Sequence, residues 1–319
     1  MFVLNSDGTA GGMHKISNSH GGLSSFYTLD SWGAFGSSLA AIGDLNSDGI
    51  ADLAVGAAWA DDGAGALYIL FMTANVTVGG AQKISNSEGG FAAHYTLASY
   101  ESFGSSVASI GDLDGDGISE LVVGASGGNA VYVLFMTTNG TASAVQKISN
   151  SDGGLAAHYT LDSGDYFGSS VAPLGDMNGD GVVDFAVGAY LDDDGSWNAG
   201  AFYLIFATTS GTVGDAAKVS MLEGGFASFY TLDSYDEFGS SLALVGNSDG
   251  TLELVVGANE DDDGSSSAGA AYALSFETRT LPPTMSPAPT MSPAPTALPT
   301  VSPLPSPAPT TPQPTPSAV

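Results

Sequence analysis

The sequence predicts an all-β fold made of four similar repeats. The pair Phe-Gly opens a similar stretch at Phe35, Phe103, Phe167 and Phe238, so successive starts lie 68, 64 and 71 residues apart. Each stretch holds short runs rich in Val, Leu, Tyr and Phe, separated by clusters of Gly, Asn, Asp and Ser, which is typical of strands and turns. No window shows sustained helical periodicity. A period of this length indicates a repeat architecture.

The second repeat illustrates the four strands expected in each. Its strands are predicted at Phe103 to Gly111, Glu120 to Val123, Ala130 to Phe135, and Val145 to Ser149. Four antiparallel strands in a repeat of about 65 residues are typical of one propeller blade. We therefore predict a β-propeller of four-stranded antiparallel blades over residues 1–280.

The two ends of the repeat region carry complementary strands. Residues 13–17 match a fourth strand with no first three before it, whereas residues 238–276 supply three strands with no fourth. Pairing of the 13–17 strand into the last blade would close the four blades and remove two exposed sheet edges. The alternatives are an open fragment of a larger propeller and self-association that completes one.

The composition changes abruptly at Leu281. The remainder consists mainly of Pro, Thr, Ser and Ala, and Thr-Met-Ser-Pro-Ala-Pro occurs at 284 and again at 290. So much proline with so few large apolar residues cannot form a packed core. Residues 281–319 are therefore expected to be a disordered tail, of the kind used as a stalk or O-glycosylated spacer. A disordered terminus without such a role is the alternative.

The charge balance limits the partners of the chain. Its 319 residues include 5 Lys plus Arg and 34 Asp plus Glu, for a net charge of -29. Nucleic acid is not expected as a partner, because phosphate contacts need a basic surface. Divalent cations complement so much carboxylate. With no cysteine, the chain has neither disulfides nor zinc-thiolate sites.

No membrane or export segment is visible. No apolar run approaches the ~18 residues of a membrane helix, so membrane insertion is not expected. The N-terminus lacks the charged and apolar regions of a signal peptide. It resembles instead the end of an internal repeat, such as Val133 to Met136, which fits a fragment of a longer array.

Three loops between the first and second strands share one acidic pattern. Oxygen-bearing side chains fall at positions 1, 3, 5 and 9, with Gly at position 6 and an aliphatic residue at position 7 that can offer its carbonyl. Calcium takes about six to eight oxygen ligands from carboxylates, amides and carbonyls. One such loop could be an ordinary turn, but three in register favour Ca²⁺, about three ions in all. The candidate ligands are Asp44, Asn46, Asp48, Ile50, Asp52, Asp112, Asp114, Asp116, Ile118, Glu120, Asp176, Asn178, Asp180, Val182 and Asp184.

These loops are not EF-hands, and a fourth loop is incomplete. An EF-hand needs a bidentate Glu at position 12 and a following helix, whereas Val55, Val123 and Val187 stand there and a strand follows. The fourth loop is two residues shorter and lacks the first Asp. Its remaining candidate ligands are Asn247, Asp249 and Glu253.

The combination of Phe-Gly, an Asp-rich loop and Val-Gly-Ala carries a family resemblance. It resembles the FG-GAP repeat of integrin α-subunit β-propellers and of their bacterial and algal relatives, and the resemblance covers residues 1–280. It implies a calcium-stabilised propeller with the ions in the loops that join the first and second strands. Integrin propellers carry seven such repeats, whereas this chain has four, and no integrin ligand-binding residue can be transferred by position.

A second acidic cluster joins strands two and three in three of the repeats. In an up-and-down blade these loops lie on the face opposite the calcium loops. They are candidates for a ligand surface or weak metal sites, and solvated turns are the alternative. The residues are Asp61, Asp62, Asp192, Asp193, Asp194, Asp261, Asp262 and Asp263.

Lysines and sequons also recur. Lys15, Lys83, Lys147 and Lys218 occupy one position in strand four, and we expect each to pair with a neighbouring carboxylate, since lone buried charges are costly. A ring of lysines that binds an anion is the alternative.

Asn75 and Asn139 begin N-glycosylation sequons at matching positions after strand three, which indicates a secretory route unless they arise by chance.

Together these features predict a calcium-stabilised, non-catalytic adhesion or recognition module, integrin-like and located outside the cell, at its surface or in its wall. Its partner would be an extracellular protein or glycan. One alternative is a propeller-based hydrolase or lyase that uses carboxylates such as Asp192 to Asp194. Against it, Ser-His adjacency occurs only at Ser19-His20 and no nucleophile-base pair recurs. The other alternative is a purely structural cell-wall or matrix protein.

Overall fold

The computed structural model describes residues 2–4, 10–246, 252–263 and 265–276, and it confirms the all-β propeller prediction. Residues 1–280 form one compact unit. The predicted tail, residues 281–319, lies outside the described residues. No helix in the described ranges is both long and apolar enough to cross a membrane.

Four sheets follow one another along the chain. The first three each have four antiparallel strands in chain order, and the fourth has three strands in the described residues. An N-terminal hairpin precedes them. Its strands are β1 Phe2–Leu4 and β2 Ala10–Met13; the first blade has β3 Phe35–Ala41, β4 Leu53–Ala57, β5 Ala66–Met72 and β6 Val78–Ile84; the second has β7 Phe103–Gly111, β8 Glu120–Ala125, β9 Ala130–Met136 and β10 Ala142–Ile148; the third has β11 Val171–Gly175, β12 Asp184–Ala189, β13 Ala201–Ala207 and β14 Val213–Val219; the fourth has β15 Phe238–Gly246, β16 Leu252–Ala258 and β17 Ala270–Phe276.

Short 3₁₀ turns are the helical elements of the described chain. Three of them lie between the end of one blade and the start of the next, and a fourth precedes the first blade; each of these four follows a glycine in the left-handed region, such as Gly90 with φ of 85°. Their bounds are Leu23–Ser25, Asp61–Gly63, Phe91–Ala93, Ser126–Gly128, Leu155–Ala157 and Phe226–Ser228.

Successive blades pack face to face through large apolar side chains. Ile69 of the first blade is buried in one cluster with Leu121 and Tyr132 of the second. Equivalent clusters join the second blade to the third and the third to the fourth. Among the described residues no buried cluster joins the fourth blade to the first, and Leu39 of the first blade is 66 % exposed.

The Phe-Gly and Val-Gly-Ala motifs meet where two blades join. The carbonyl of Gly104 accepts a hydrogen bond of 2.8 Å from Ser38 Oγ of the preceding blade. A Cβ atom on Gly56 would lie 2.0 Å from that carbonyl oxygen, so only glycine permits this backbone approach. The same contact recurs at the next two junctions, as Ser106 to Gly168 and Ser170 to Gly239, each 2.8 Å.

Residues 13–17, which were predicted to form one strand of the last blade, make other contacts in the described structure. Met13 ends β2, which pairs with β1, and Ser17 forms an isolated antiparallel bridge with His20. Lys15 and Ile16 lie outside the strands, and β17 is the last strand of the fourth sheet among the described residues. Closure of the last blade by this segment stays a prediction.

Candidate metal centre

The loop between β7 and β8 gathers three carboxylates. Asp112, Asp114 and Asp116 are exposed, and one carboxylate oxygen from each lies within 4.8 Å of the others. In the described residues no other group of three acidic or histidine side chains comes this close together. Three like charges at this separation repel one another, so a bound cation would stabilise the arrangement.

Backbone amides of the same loop hold these oxygens in place. Gly115 and Gly117 donate their N–H groups to the two oxygens of Asp112, at 2.7 and 2.9 Å. Ile118 donates its N–H to Asp116 Oδ1 at 2.7 Å. Gly117, at position 6, has a φ of 88°, a conformation that favours glycine. The sequence-predicted turn therefore forms as expected.

The first and third loops repeat this geometry with an amide at position 3. Asp44 accepts the N–H of Gly49 at 2.7 Å, and Asp176 accepts that of Gly181 at 2.8 Å. The Asn at position 3 donates its side-chain N–H to the Asp at position 5 in both loops, from Asn46 to Asp48 at 3.0 Å and from Asn178 to Asp180 at 2.9 Å. These two loops thus hold two exposed carboxylates each where the second loop holds three.

The residue at position 9 is buried and fastens the loop to the sheet. Asp52 accepts the N–H of Leu45, at position 2, at 3.1 Å and that of Met72, at the end of β5, at 2.9 Å. Asp184 repeats these bonds with Met177 and Ala207, at 2.9 and 3.1 Å. The sequence suggested a ligand role for this position, and the structure adds an anchoring role that side-chain type alone does not reveal.

Glu120 fills position 9 of the second loop with a longer side chain. Its Oε2 atom accepts the N–H of Leu113 at 2.6 Å, whereas Oε1 is buried and has no hydrogen-bond partner in the described structure. Burial, together with the nearby charges of Asp114 and Asp116, raises the pKa of Glu120 to about 7. Burial likewise raises the pKa of Asp184 to about 6 and that of Asp52 above its ordinary value.

The donor set of the second loop fits a divalent cation. It consists of hard oxygens, which calcium and magnesium prefer. Buried oxygens rarely lack a partner, and a cation near the loop is one partner that Glu120 Oε1 could take. Ile118, at position 7, packs against the hydrophobic core while its backbone stays in the loop. Ile50 and Val182 do the same in the other two loops.

The fourth loop is only partly described. Asn247 and Asp249 lie outside the described residues. Glu253 is half-buried, and Ser275 Oγ donates to its Oε1 at 3.4 Å.

The acidic loops between strands two and three divide into structural and exposed carboxylates. Lys83 Nζ lies 2.7 Å from Asp61, and Lys218 Nζ lies 2.7 and 2.6 Å from Asp192 and Asp194. The prediction that strand-four lysines pair with carboxylates is confirmed at these two positions. Burial alone would lower the pKa of Lys218, but its hydrogen bonds to the two carboxylates raise it above the ordinary value.

The other members of these loops vary. Asp193 accepts the N–H of Asn198 at 2.7 Å, and Asp261 accepts the hydroxyl of Tyr272 at 2.7 Å. Asp62 and Asp262 are exposed. Asp263 donates its N–H to Asp261 Oδ1 at 3.2 Å.

An aromatic cleft beside Asp61 and Asp62 was missed by the sequence reasoning. Trp32, Trp59 and Tyr100 are 92, 56 and 68 % exposed and line a cleft of about 570 Å³. The signal was the recurrence of an aromatic residue after Ser at 32, 100 and 235.

The backbone at these aromatic positions is strained. Trp32, Tyr100 and Tyr235 have φ of 70°, 69° and 74°, a conformation in which a bulky residue costs about 1–3 kcal/mol. The third repeat has Gly164 at this position. Exposed aromatic rings held at strained positions suit a binding surface better than a core.

Comparison with known proteins agrees with this architecture. The FG-GAP repeat family matches residues 35–70 and 103–134, and a second FG-GAP repeat family matches residues 232–274. The chain contains FG-GAP repeats and is integrin-like in this region. The matched residues include Phe-Gly, the acidic loop and Val-Gly-Ala, whose contacts are described above.

Integrin α chains are among the curated proteins that are similar to this chain. Integrin alpha pat-2 of Caenorhabditis briggsae is 43 % identical over 108 residues, or 33 % of this chain and 8 % of its own length. Integrin alpha-PS5 of Drosophila melanogaster is 38 % identical over 109 residues, covering 33 % and 10 %. Integrin alpha-2 of Mus musculus is 37 % identical over 94 residues, covering 29 % and 8 %. The FG-GAP chain thus matches no more than a tenth of the length of these relatives.

Proposed function

We propose that this FG-GAP protein is a calcium-stabilised, non-catalytic adhesion or recognition module that works outside the cell. The carboxylate group of Asp112, Asp114 and Asp116 carries the proposal, because it combines clustered charge with hard oxygen donors. The similarity to integrin α chains supports the adhesion role and the extracellular or cell-surface setting.

Each of the three loops would hold one ion. When bound, Ca²⁺ would supply positive charge that offsets the repulsion among the loop carboxylates. The chain's own residues supply the frame: backbone amides orient positions 1 and 5. In the first and third loops the buried carboxylate at position 9 also fastens the loop to the end of the third strand. The ligands proposed are the set at positions 1, 3, 5, 7 and 9. Extracellular calcium modules typically bind at ~10⁻⁴–10⁻³ M, which suits this setting.

The recognition surface would lie at the opposite end of the strands. The cleft lined by Trp32, Trp59 and Tyr100 offers exposed rings, and Asp62 adds an exposed carboxylate. Such a surface suits an extracellular protein or glycan. Asn75 and Asn139 are exposed in the β5–β6 and β9–β10 loops, so both proposed glycosylation sites are accessible.

The enzymatic alternative receives less support. Asp192 and Asp194 are paired with Lys218, so they do not offer a free acid and base. Ser19 Oγ lies 2.8 Å from His20 Nδ1, but both residues are exposed on the surface. A purely structural wall or matrix role would use the same calcium loops and would leave the aromatic cleft without a ligand.

Asp116→Ala is expected to remove one calcium site. Asp116 belongs to the carboxylate group and would supply the side-chain oxygen at position 5, and Ala leaves that ligand position without a donor although Asp112 and Asp114 remain. Isothermal titration should count about three ions for the wild type and one fewer for the variant. At calcium near 100 times the dissociation constant, the lost site should lower the free energy of unfolding by about 2.7 kcal/mol.

Asp114→Asn is the matched control, since it gives the second loop the Asn that the other two loops carry at position 3. It should keep the full number of ions with at most a modest loss of affinity. If Asp116→Ala bound as many ions as the wild type, or lost equal stability in EGTA, the loop would be a turn and not a ligand set.

A further inference from the structure

The two ends of the blade array carry complementary halves of one inter-blade junction. Inside the chain, each complete junction joins a serine and a glycine of one blade to the Phe-Gly pair of the next. In the fourth blade, Ser241 Oγ has no acceptor in the described structure, and a Cβ atom on Gly257 would meet only serine side chains of its own blade. At the other end, a Cβ atom on Gly36 would meet nothing within 4 Å.

The lysine position of strand four is likewise complete in the first three blades and incomplete in the fourth. In each complete blade the strand-four lysine lies opposite a tyrosine of strand three, and its Nζ atom lies over the tyrosine ring at 5.3–5.9 Å. The register pairs are Lys83 with Tyr68, Lys147 with Tyr132, and Lys218 with Tyr203.

In the described residues the fourth blade has the tyrosine and the carboxylate but no lysine. Tyr272 donates its hydroxyl to Asp261 at 2.7 Å, as Tyr203 does to Asp192 at 3.0 Å in the third blade. Asp261 is only 4 % exposed, and no cation contacts it in the described ranges. A buried carboxylate without a cation is costly, so this site is expected to favour an incoming ammonium group.

Lys15 is the structural counterpart of the missing lysine. Asn18, three residues after it, exchanges hydrogen bonds with Leu29 at 3.1 and 2.6 Å. Asn86 and Asn150 make the same exchange after Lys83 and Lys147. Lys15 is exposed, and none of the ion pairs between described residues includes it.

We propose that the Lys15 end of one copy docks on the fourth blade of a second copy. Lys15 would lie opposite Tyr272 and pair with Asp261, the segment 13–17 would line the edge of β17, and Ser241 would donate to the carbonyl of Gly36. The new junction continues the three that already join blades within the chain. It is heterologous, so copies associate head to tail.

The occupant is a second copy because the Lys15 segment is held against its own first blade. Gly21 accepts the N–H of Val78 at 2.8 Å, and Ile16 packs against the core of that blade. No buried cluster in the described ranges joins this blade to the fourth. The net charge of -29 makes two copies repel each other overall. A lysine of one copy opposite a buried carboxylate of the other provides a local attraction at the contact.

Light scattering of the full chain in millimolar calcium tests this assembly. We expect a mass of at least twice the 31.9 kDa monomer for the wild type. Lys15→Glu and Asp261→Asn should each weaken association by about 30-fold or more, since each removes one partner of the buried charge pair. Lys15→Arg and Asp262→Asn are the controls, and both should assemble like the wild type.

Mixing the two defective variants distinguishes assembly between copies from closure within one chain. Lys15→Glu keeps an intact fourth blade and Asp261→Asn keeps an intact Lys15 end, so an equimolar mixture should form dimers although each variant alone is monomeric. A monomeric wild type with a monomeric mixture would overturn the proposal. Loss of thermal stability in both variants at unchanged monomer mass would instead show that the chain closes on itself.

Discussion

Gly124→Ala is expected to destabilise the protein by at least about 4 kcal/mol, an exceptionally large effect for one methyl group. A Cβ atom on Gly124 would lie 1.9 Å from the carbonyl oxygen of Gly168 and 2.3 Å from Ser106 Oγ. That carbonyl belongs to the next blade and accepts the Ser106 hydroxyl at 2.8 Å. Backbone cannot move aside without separating two blades, so the second and third blades would lose part of their shared core. Urea unfolding followed by circular dichroism measures the loss.

Gly257→Ala is the matched control for this substitution. Gly257 occupies the same motif position in the fourth blade, but the nearest atom to its added Cβ would be Ser241 Oγ at 2.3 Å, which can rotate away. We expect a loss below about 1 kcal/mol in the monomer. Equal losses at Gly124 and Gly257 would show that the glycine serves the strand itself and not the contact between blades.

Lys218→Met is expected to cost about 3 kcal/mol. The substitution keeps much of the volume but leaves Asp192 and Asp194 without the ammonium that contacts both. Asp192 is buried and already accepts the hydroxyl of Tyr203 at 3.0 Å, so it cannot regain a hydration shell. The free energy of unfolding, measured in calcium and again in EGTA, should fall by the same amount in both.

Lys147→Met separates charge pairing from packing at the same repeat position. Lys147 lies over the ring of Tyr132 at 5.5 Å but forms no ion pair with a described residue, and its replacement should cost less than about 1 kcal/mol. The double variant Lys218→Met with Asp192→Asn should recover part of the loss, because it no longer buries an unpaired charge. A Lys218 effect no larger than that of Lys147 would mean that the ion pair adds nothing.

The strand pattern and the acidic loops were predictable because both depend on local sequence. Alternation of apolar runs with turn residues locates the strands, and even the bounds of β7 agree with the prediction. The fourth strand of the second blade begins at Ala142, three residues earlier than predicted, because the small residues before Val145 pair along β9. Small residues give little strand signal, so such a boundary needs the partner strand.

Long-range relationships were less accessible from sequence. By side-chain type alone Asp52 is a candidate calcium ligand. Only the fold shows that it is buried and accepts a hydrogen bond from a backbone N–H of β5. The close approach of Gly56 to Gly104 joins residues of different blades, so the reason why Val-Gly-Ala recurs in the repeats appears only in three dimensions. The exposure of Trp32 likewise could not be predicted from that residue alone, since it depends on the conformation of the turn that carries it.

Thermal unfolding of the full chain in millimolar calcium and in EGTA tests the central claim most directly, that ions in the acidic loops stabilise the blades. At calcium about 10 to 100 times the dissociation constant, three sites that each contribute about 1.4–2.7 kcal/mol should raise Tm by about 10 °C or more. The shift should be smaller by about a third in Asp116→Ala and almost unchanged in Asp114→Asn. An identical Tm in calcium and EGTA for the wild type would contradict the account and reduce the three loops to turns.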